Sequence, residues 1–294
     1  MSEITLLDGG MGQELLRRTG DKPTHLWATQ VMLDHPGLVT EIHRDYFAAG
    51  ATVATTNTYA IHHDRFAGTD LDGKLLDCVA TALSEAKSAR SDVEDARIAG
   101  SIGPLVASYR PETHPPHEVA VPLYAELAGL MSSKADIILI ETAASVAHAR
   151  AALEGAQSAG KPVWLAVTVD DEDGSILRSG EPLAALAGLD PDAWLTNCSA
   201  PEAMTAALPG LKSLGKPFGA YANAFTQITK DFLKDKPTTD ALSARRDMTP
   251  DRYAEFVMSW VDEGATIVGG CCETGPEHIK AIANRLRADG HTIV

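Results

Sequence analysis

Long apolar runs are missing from this chain: no stretch approaches the roughly 18 residues that a membrane-spanning helix needs. The N-terminus MSEITLLDGG also lacks the basic region and apolar run of a secretory signal. These absences lead us to expect a cytoplasmic protein with no membrane partner. Basic residues are scarce, with 25 lysines and arginines against 40 acids and a formal charge of −15. A field of that sign repels phosphate backbones, so no nucleic-acid partner is expected. Cysteine is rarer still: four in 294 residues, at positions 78, 198, 271 and 272. Such irregular spacing without a signal is no disulfide framework, and the thiols are expected to be free or metal-bound. There is no G-x-G-x-x-G after a strand and no P-loop pattern, which weighs against an open nucleotide-binding sheet.

What is present is an ordinary globular composition, 45% hydrophobic and 22% charged, which excludes disorder and fibrous classes. Eight short β-rich runs alternate with helical patterns, at 4–10, 52–59, 97–104, 136–143, 163–170, 193–200, 218–225 and 266–272. In the last helical segment Ile279, Ile282, Ala283 and Leu286 recur at i, i+3, i+4 and i+7, one face of a helix, and Leu38, Ile42 and Tyr46 repeat every fourth position. Thr249 before Pro250 and Gly275 before Pro276 read as helix caps. Eight strands, each followed by a helix and apolar enough for burial on both faces, specify a parallel sheet. The expected fold is therefore α/β, a single (β/α)8 TIM-type barrel over residues 1–294, since such barrels reach about 250 residues as one domain. The proline-bearing segments 105–121 and 226–249 should be loops over its C-terminal mouth, where active sites of this fold are built.

The cysteines then acquire a place. Cys271 and Cys272 are neighbours, and Cα atoms about 3.8 Å apart are too close for an ordinary disulfide. Cys198 ends the sixth run and Cys271–Cys272 the eighth, so all three meet at one rim. Consecutive strand residues face opposite ways, so both neighbours reach one site only where the strand becomes irregular, which Gly269 and Gly270 permit. Three thiolates with one open position describe a catalytic zinc site. The alternative is three small buried hydrophobes, the reading given to Cys78 within LLDCVATAL. Asp8, Gly9 and Gly10 read either as a turn or as a site. Glu141 ends an apolar strand, where a carboxylate is costly unless it has a task. His62 and His63 follow the second run in a polar loop and read as solvated.

These residues carry a resemblance. The stretches LLDGGMGQEL, LWATQVMLDHPGLVTEIHRDYFAAGATVATTNTY, ILIETAASVAHARAAL, LTNCSAPEAM and VGGCCETGPEHIKAI, spread over nearly the whole chain, resemble the zinc-dependent homocysteine S-methyltransferase family. That family includes the S-methylmethionine and betaine enzymes and the homocysteine domain of methionine synthase. The resemblance implies zinc ligation by Cys198, Cys271 and Cys272, with the homocysteine thiol as fourth ligand. It further implies Glu141 on the substrate ammonium, Asp8, Gly9 and Gly10 lining the amino-acid site, Asn197 beside the first ligand, and Trp27 near the methyl donor. Tyr59 is a second aromatic face for a cationic donor. The implied activity is methyl transfer from a small onium donor to homocysteine, forming methionine, with S-methylmethionine placed ahead of betaine or dimethylsulfoniopropionate. Both substrates are small molecules, and a homo-oligomer is left open. One departure stands out: Glu273-Thr274-Gly275 follows the cysteine pair where the family usually has glycine and then threonine or an aromatic, and a carboxylate there favours a cationic partner. Two readings of other classes are weighed against this one. A non-catalytic zinc and thiol-binding barrel would bind homocysteine without turnover, and a Schiff-base lyase lacks a lysine at any expected strand end.

Overall fold

Parallel pairing runs through the entire sheet. The computed structural model describes the chain except residues 23, 25, 27, 92, 227–232 and 234–241. Its strands are β1 (Glu3–Leu6), β2 (Val53–Thr55), β3 (Arg97–Ile102), β4 (Ile137–Ala143), β5 (Val163–Val167), β6 (Ala193–Asn197), β7 (Phe218–Ala222), β8 (Ile267–Gly270) and a two-residue β9 (Thr292–Ile293). The order is β2-β3-β4-β5-β6-β7-β8-β1-β9, a curled all-parallel sheet. Its β1 and β2 ends approach through a parallel bridge between Leu7 and Val53, and Thr52 N–H donates to the Leu6 carbonyl at 2.8 Å. All eight expected strands form, and most stop short of the run that announced them. The second spans only Val53–Thr55, leaving Asn57 and Tyr59 in the following loop.

The period-two alternation sorts each strand into two layers. On β4, Ile138 and Ile140 join the core shared with the helices, whereas Ile137 and Leu139 join an inner cluster with Leu7, Val53, Ala99 and Trp164. The same phase takes Ala193 and Leu195 of β6, Tyr221 of β7 and Ile267 of β8 inward. Continued towards the carboxyl ends, this inward row carries Glu141, Asn197 and Cys271. The helices that cover the outer face include α1 (Met11–Thr19), α2 (Ala28–Asp34), α3 (Leu38–Ala49), α4 (His63–Phe66), α5 (Leu75–Arg90), α6 (His117–Met131), α7 (Val146–Gln157), α8 (Pro201–Ser213), α9 (Pro250–Asp262) and α10 (Pro276–Ala288). The two expected caps are in place. Thr249 accepts the Arg252 N–H at 3.3 Å ahead of α9, and Gly275 precedes α10. Cys78 is buried on α5 as an apolar side chain.

One expectation is corrected. The strand β5 is not followed by an α-helix; residues 168–192 carry a 3₁₀ turn, Leu183–Leu186, and isolated antiparallel bridges Val169–Leu177 and Ile176–Pro182. The acidic run there folds back on itself instead, with Asp170 Oδ1 accepting the N–H groups of Glu172 and Asp173 at 2.9 and 3.0 Å. Short aspartate side chains compete with helix formation in this way.

Candidate active site

The inward row ends in a cavity of about 130 Å³ at the carboxyl ends of the strands, lined among others by Asp8, Gly9, Gly10, Glu141, Cys198, Cys271 and Cys272. The sulfur atoms of Cys198, Cys271 and Cys272 all lie within 4.8 Å of one another. Cys198 is out of phase with its strand and leaves extended geometry, at φ +52°. Cys271 continues the inward row of β8. Its neighbour Cys272 reaches the same place because the strand has ended, and Glu273 turns the chain at φ +64°. Gly269 and Gly270 have no positive φ, so their role differs from the one expected of them. A Cβ on Gly270 would stand 2.0 Å from Thr274 Oγ1, and one on Gly269 would stand 2.5 Å from Leu7 Cβ. They permit close packing, and the turn itself falls on Glu273. Gly9 and Gly10 serve the same fit from the other side. Added Cβ atoms there would meet the carbonyl oxygens of Thr274 at 2.3 Å and Cys271 at 2.7 Å. Gly10 N–H donates to the Thr274 carbonyl at 2.8 Å, which ties the first loop to the cysteine loop.

The expectation that every thiol is free or metal-bound is corrected at one pair. Cys198 and Cys271 form a disulfide, with Cα atoms 5.9 Å apart, inside the range that a bridge spans. Sequence neighbours cannot meet that requirement, whereas residues past the ends of β6 and β8, on either side of β7, can. Cys272 is free, and burial, followed by the charges of Glu273 and Glu141, pushes its thiol up to about 12. In these surroundings its thiolate needs a cation beside it.

Two carboxylates face the same cavity. Glu141 is buried, accepts the Tyr221 hydroxyl at 3.0 Å on Oε1, and accepts the Ser101 hydroxyl on Oε2. Burial raises its pKa, against the pull of those two donors. Asp8 accepts the Thr55 N–H at 2.7 Å, and burial pushes it up to about 7, with the nearby Glu141 adding to the rise. His43 Nδ1 lies 3.7 Å from Asp8, but burial lowers the imidazole to about 4, so it is neutral at pH 7 and the pair is no salt bridge.

Asn197 does not line the cavity. It is fully buried, and its amide is spent on Thr142, accepting that residue's N–H at 2.8 Å and donating to its hydroxyl at 3.0 Å. Its place beside the first cysteine is as expected, but it holds the backbone that presents Glu141. Trp27 lies outside the described residues. Tyr59 lines the cavity and pairs its hydroxyl with Ser108 Oγ at 2.7 Å. The connection ahead of α6 supplies Tyr109, and the expected mouth segment 105–121 is a loop with a short 3₁₀ turn, Pro111–Thr113, as far as residue 116 and an α-helix beyond. From 226–249, the described Leu233 and Leu242 pack with Tyr109 and the cysteines, and most of that segment lies outside the described residues. His63 is exposed beside Glu126, but His62 is buried, and burial lowers it to about 4, contrary to the solvated reading of the pair. Sequence reasoning passed over Ser101, Tyr221, Thr55, Tyr109 and Gln13, the last of which hydrogen-bonds the Cys272 thiol. Ser101 and Tyr221 carried a usable signal, since polar groups at inward positions of apolar strands require a partner.

The chain is similar to known proteins over nearly its whole length. The family model described as homocysteine S-methyltransferase matches residues 5–286. The homocysteine S-methyltransferase YbgG of Bacillus subtilis is 27% identical, over 97% of this chain and 95% of its own length. The solved homocysteine methyltransferase MmuM of Escherichia coli, in its metallated form, superposes with a TM-score of 0.80 at 27% identity, over 97% of this chain and 96% of that one. Its oxidised form gives a TM-score of 0.81 at 27% identity, over 96% of each chain. With a match that spans nearly the whole chain, this protein belongs to the homocysteine S-methyltransferase family.

Proposed function

We propose that the chain transfers a methyl group from a small sulfonium or quaternary ammonium donor, S-methylmethionine first, to the thiol of homocysteine, giving methionine. The observation that carries this reading is the convergence of three cysteine sulfurs on one cavity with Glu141. The donor set fits zinc: three soft sulfur ligands close enough to share one ion leave one position of a tetrahedron open. Cys198, Cys271 and Cys272 would hold the metal once the Cys198–Cys271 bridge is reduced. Bound there, zinc would keep the acceptor sulfur as a thiolate at neutral pH.

The chain's own residues do the positioning. Ser101 and Tyr221 fix both oxygens of Glu141, which then accepts the substrate ammonium in a charge-assisted hydrogen bond. Asp8 adds negative charge at the same end, and Gly9 and Gly10 bring backbone close enough to shape it. In the transfer, a bond forms between the acceptor sulfur and the methyl carbon as the bond from that carbon to the donor's onium atom breaks. The electron pair returns to the donor, which leaves as a neutral thioether or amine. An anionic thiolate and a cationic donor thus cancel their charges as the bond forms, and Glu273, beside Cys272, adds negative charge that attracts the cation.

The same reading closes the sheet into a (β/α)8 barrel through the Leu7–Val53 bridge and treats residues 1–294 as one domain. It places the protein in the cytoplasm. Among the described residues, no helix is long and apolar enough to cross a membrane. The test is methionine formation from homocysteine by the reduced, zinc-loaded protein, with S-methylmethionine, betaine, dimethylsulfoniopropionate, adenosylmethionine and methyltetrahydrofolate at matched concentration. The highest kcat/KM is expected with S-methylmethionine. A folate or adenosylmethionine as best donor would sink the reading, and no turnover with any donor would leave a non-catalytic thiol-binding barrel.

A further inference from the structure

We infer that Tyr109 forms the donor-side wall of the cavity and that Arg178 is the positioning residue that sets it there; the inference rests on the methyl-transfer reading above. On that reading, Glu141 and Asp8 take the acceptor's ammonium and the cysteines hold its sulfur, all of them lining one cavity. A methyl donor must approach that sulfur through the space bordering the cysteines. Tyr109 occupies this border: it lines the cavity and packs directly with Cys198, and Cys271 and Cys272 pack against the pair. An aromatic ring there excludes water from the sulfurs and offers a π surface to a sulfonium or quaternary ammonium group.

The ring does not hold itself in place. Tyr109 has φ +62°, a conformation that a bulky residue keeps only when its surroundings impose it. The guanidinium of Arg178 lies over the Tyr109 ring, with Cζ 4.9 Å from its centroid. Arg178 is itself fixed: only 12% of its side chain is exposed, it pairs with Asp171 at 3.0 Å, and its Nε donates to Thr168 Oγ1 at 3.1 Å. Asp171 in turn accepts the Ala200 N–H at 2.9 Å, two residues past Cys198. The irregular crossover after β5, where an α-helix was expected, is what delivers both Arg178 and Asp171 to this end of the sheet. Arg178 does not line the cavity, so its influence on a donor passes through the ring.

A double-mutant cycle tests this. KM for S-methylmethionine, KM for homocysteine and zinc content are measured for the native chain, Arg178→Met, Tyr109→Leu and the double variant, and S-methylmethionine binding is followed by calorimetry without homocysteine. Each single variant should weaken the donor term about five- to tenfold, with homocysteine KM and zinc content within about twofold of native. The double variant should be no worse than Tyr109→Leu alone, because Arg178 acts only through that ring. Arg178→Lys keeps the charge without the planar stack and should fall between native and Arg178→Met; it replaces the latter if thermal melts show that Arg178→Met does not fold. Additive effects, or a donor KM within about twofold of native in both single variants, overturn the inference. A native chain that turns over no donor removes the functional reading instead, and the calorimetric arm then decides alone whether the pair governs onium binding.

Discussion

Asn197 grips Thr142 from two directions, its carbonyl oxygen accepting the Thr142 N–H at 2.8 Å and its amide nitrogen donating to the Thr142 hydroxyl at 3.0 Å. The contact runs from β6 to β4 and skips β5, which pairs with β4 through a register shift between Ile140 and Ala143. Thr142 holds φ +62° directly after Glu141, and Cys198 holds φ +52° directly after Asn197. One side chain therefore links the backbone that aims the acceptor carboxylate to the backbone that aims a cysteine. In Asn197→Ala the Thr142 N–H is left buried without this partner, at a cost of about 1–3 kcal/mol. Thermal denaturation should show that loss, and KM for homocysteine should rise. A variant matching native in both would remove Asn197 from the positioning of the site.

Glu141→Gln keeps the shape and removes the charge. A charge-assisted hydrogen bond worth about 1.5–3 kcal/mol is lost, so kcat/KM for homocysteine should fall by about tenfold or more while zinc content holds. Steady-state kinetics with homocysteine varied, paired with metal analysis, make the measurement. Unchanged kinetics would take Glu141 out of the acceptor site.

Asp8 gives the site a pH dependence of definite sign. Burial raises its folded-state value from 3.8 to about 7, so the protonated form favours the fold and that contribution is present in full below the unfolded value. It fades as pH rises through about 7, where the carboxylate becomes charged in a buried place. Asp8→Asn removes this titration, so its melting temperature relative to native should be higher at pH 8 than at pH 5. The acceptor term runs the other way: homocysteine affinity should weaken as pH falls below 7 in native protein, and the limb should flatten in Asp8→Asn. Parallel melting curves for the two proteins across that range would show that Asp8 does not titrate there.

The alternation of strands and helices was legible because burial on both faces writes apolar runs into a sequence, and the inward phase extended from Ile137 and Leu139 to Glu141 explains why that carboxylate could be singled out. The cysteine rim followed from the ends of the sixth and eighth runs. What escaped lies in the loops or depends on three-dimensional packing. Tyr109 sits in a connection with no periodicity to announce it, and the crossover after β5 reads as helical only until the competing aspartates are counted. His62 looked solvated because its sequence neighbours are polar, yet it is buried. Asn197 was placed correctly along the chain, but its task could be seen only once Thr142 was found beyond β5, at the register shift of β4. The roles of Gly9, Gly10 and Gly270 likewise came from contacts with Thr274 and Cys271 that sequence distance conceals.

The central claim is that Cys198, Cys271 and Cys272 act together as the ligands of one zinc ion, and metal analysis of the reduced protein tests it most directly. Zinc is to be measured per chain after purification under reducing conditions and metal loading, in the native protein and in Cys198→Ala, Cys271→Ala and Cys272→Ala, with Cys78→Ala as a buried-cysteine comparison. The account predicts one zinc per native chain, retained in Cys78→Ala and lost or weakly held in each of the other three. Undiminished zinc in all three rim variants would contradict it.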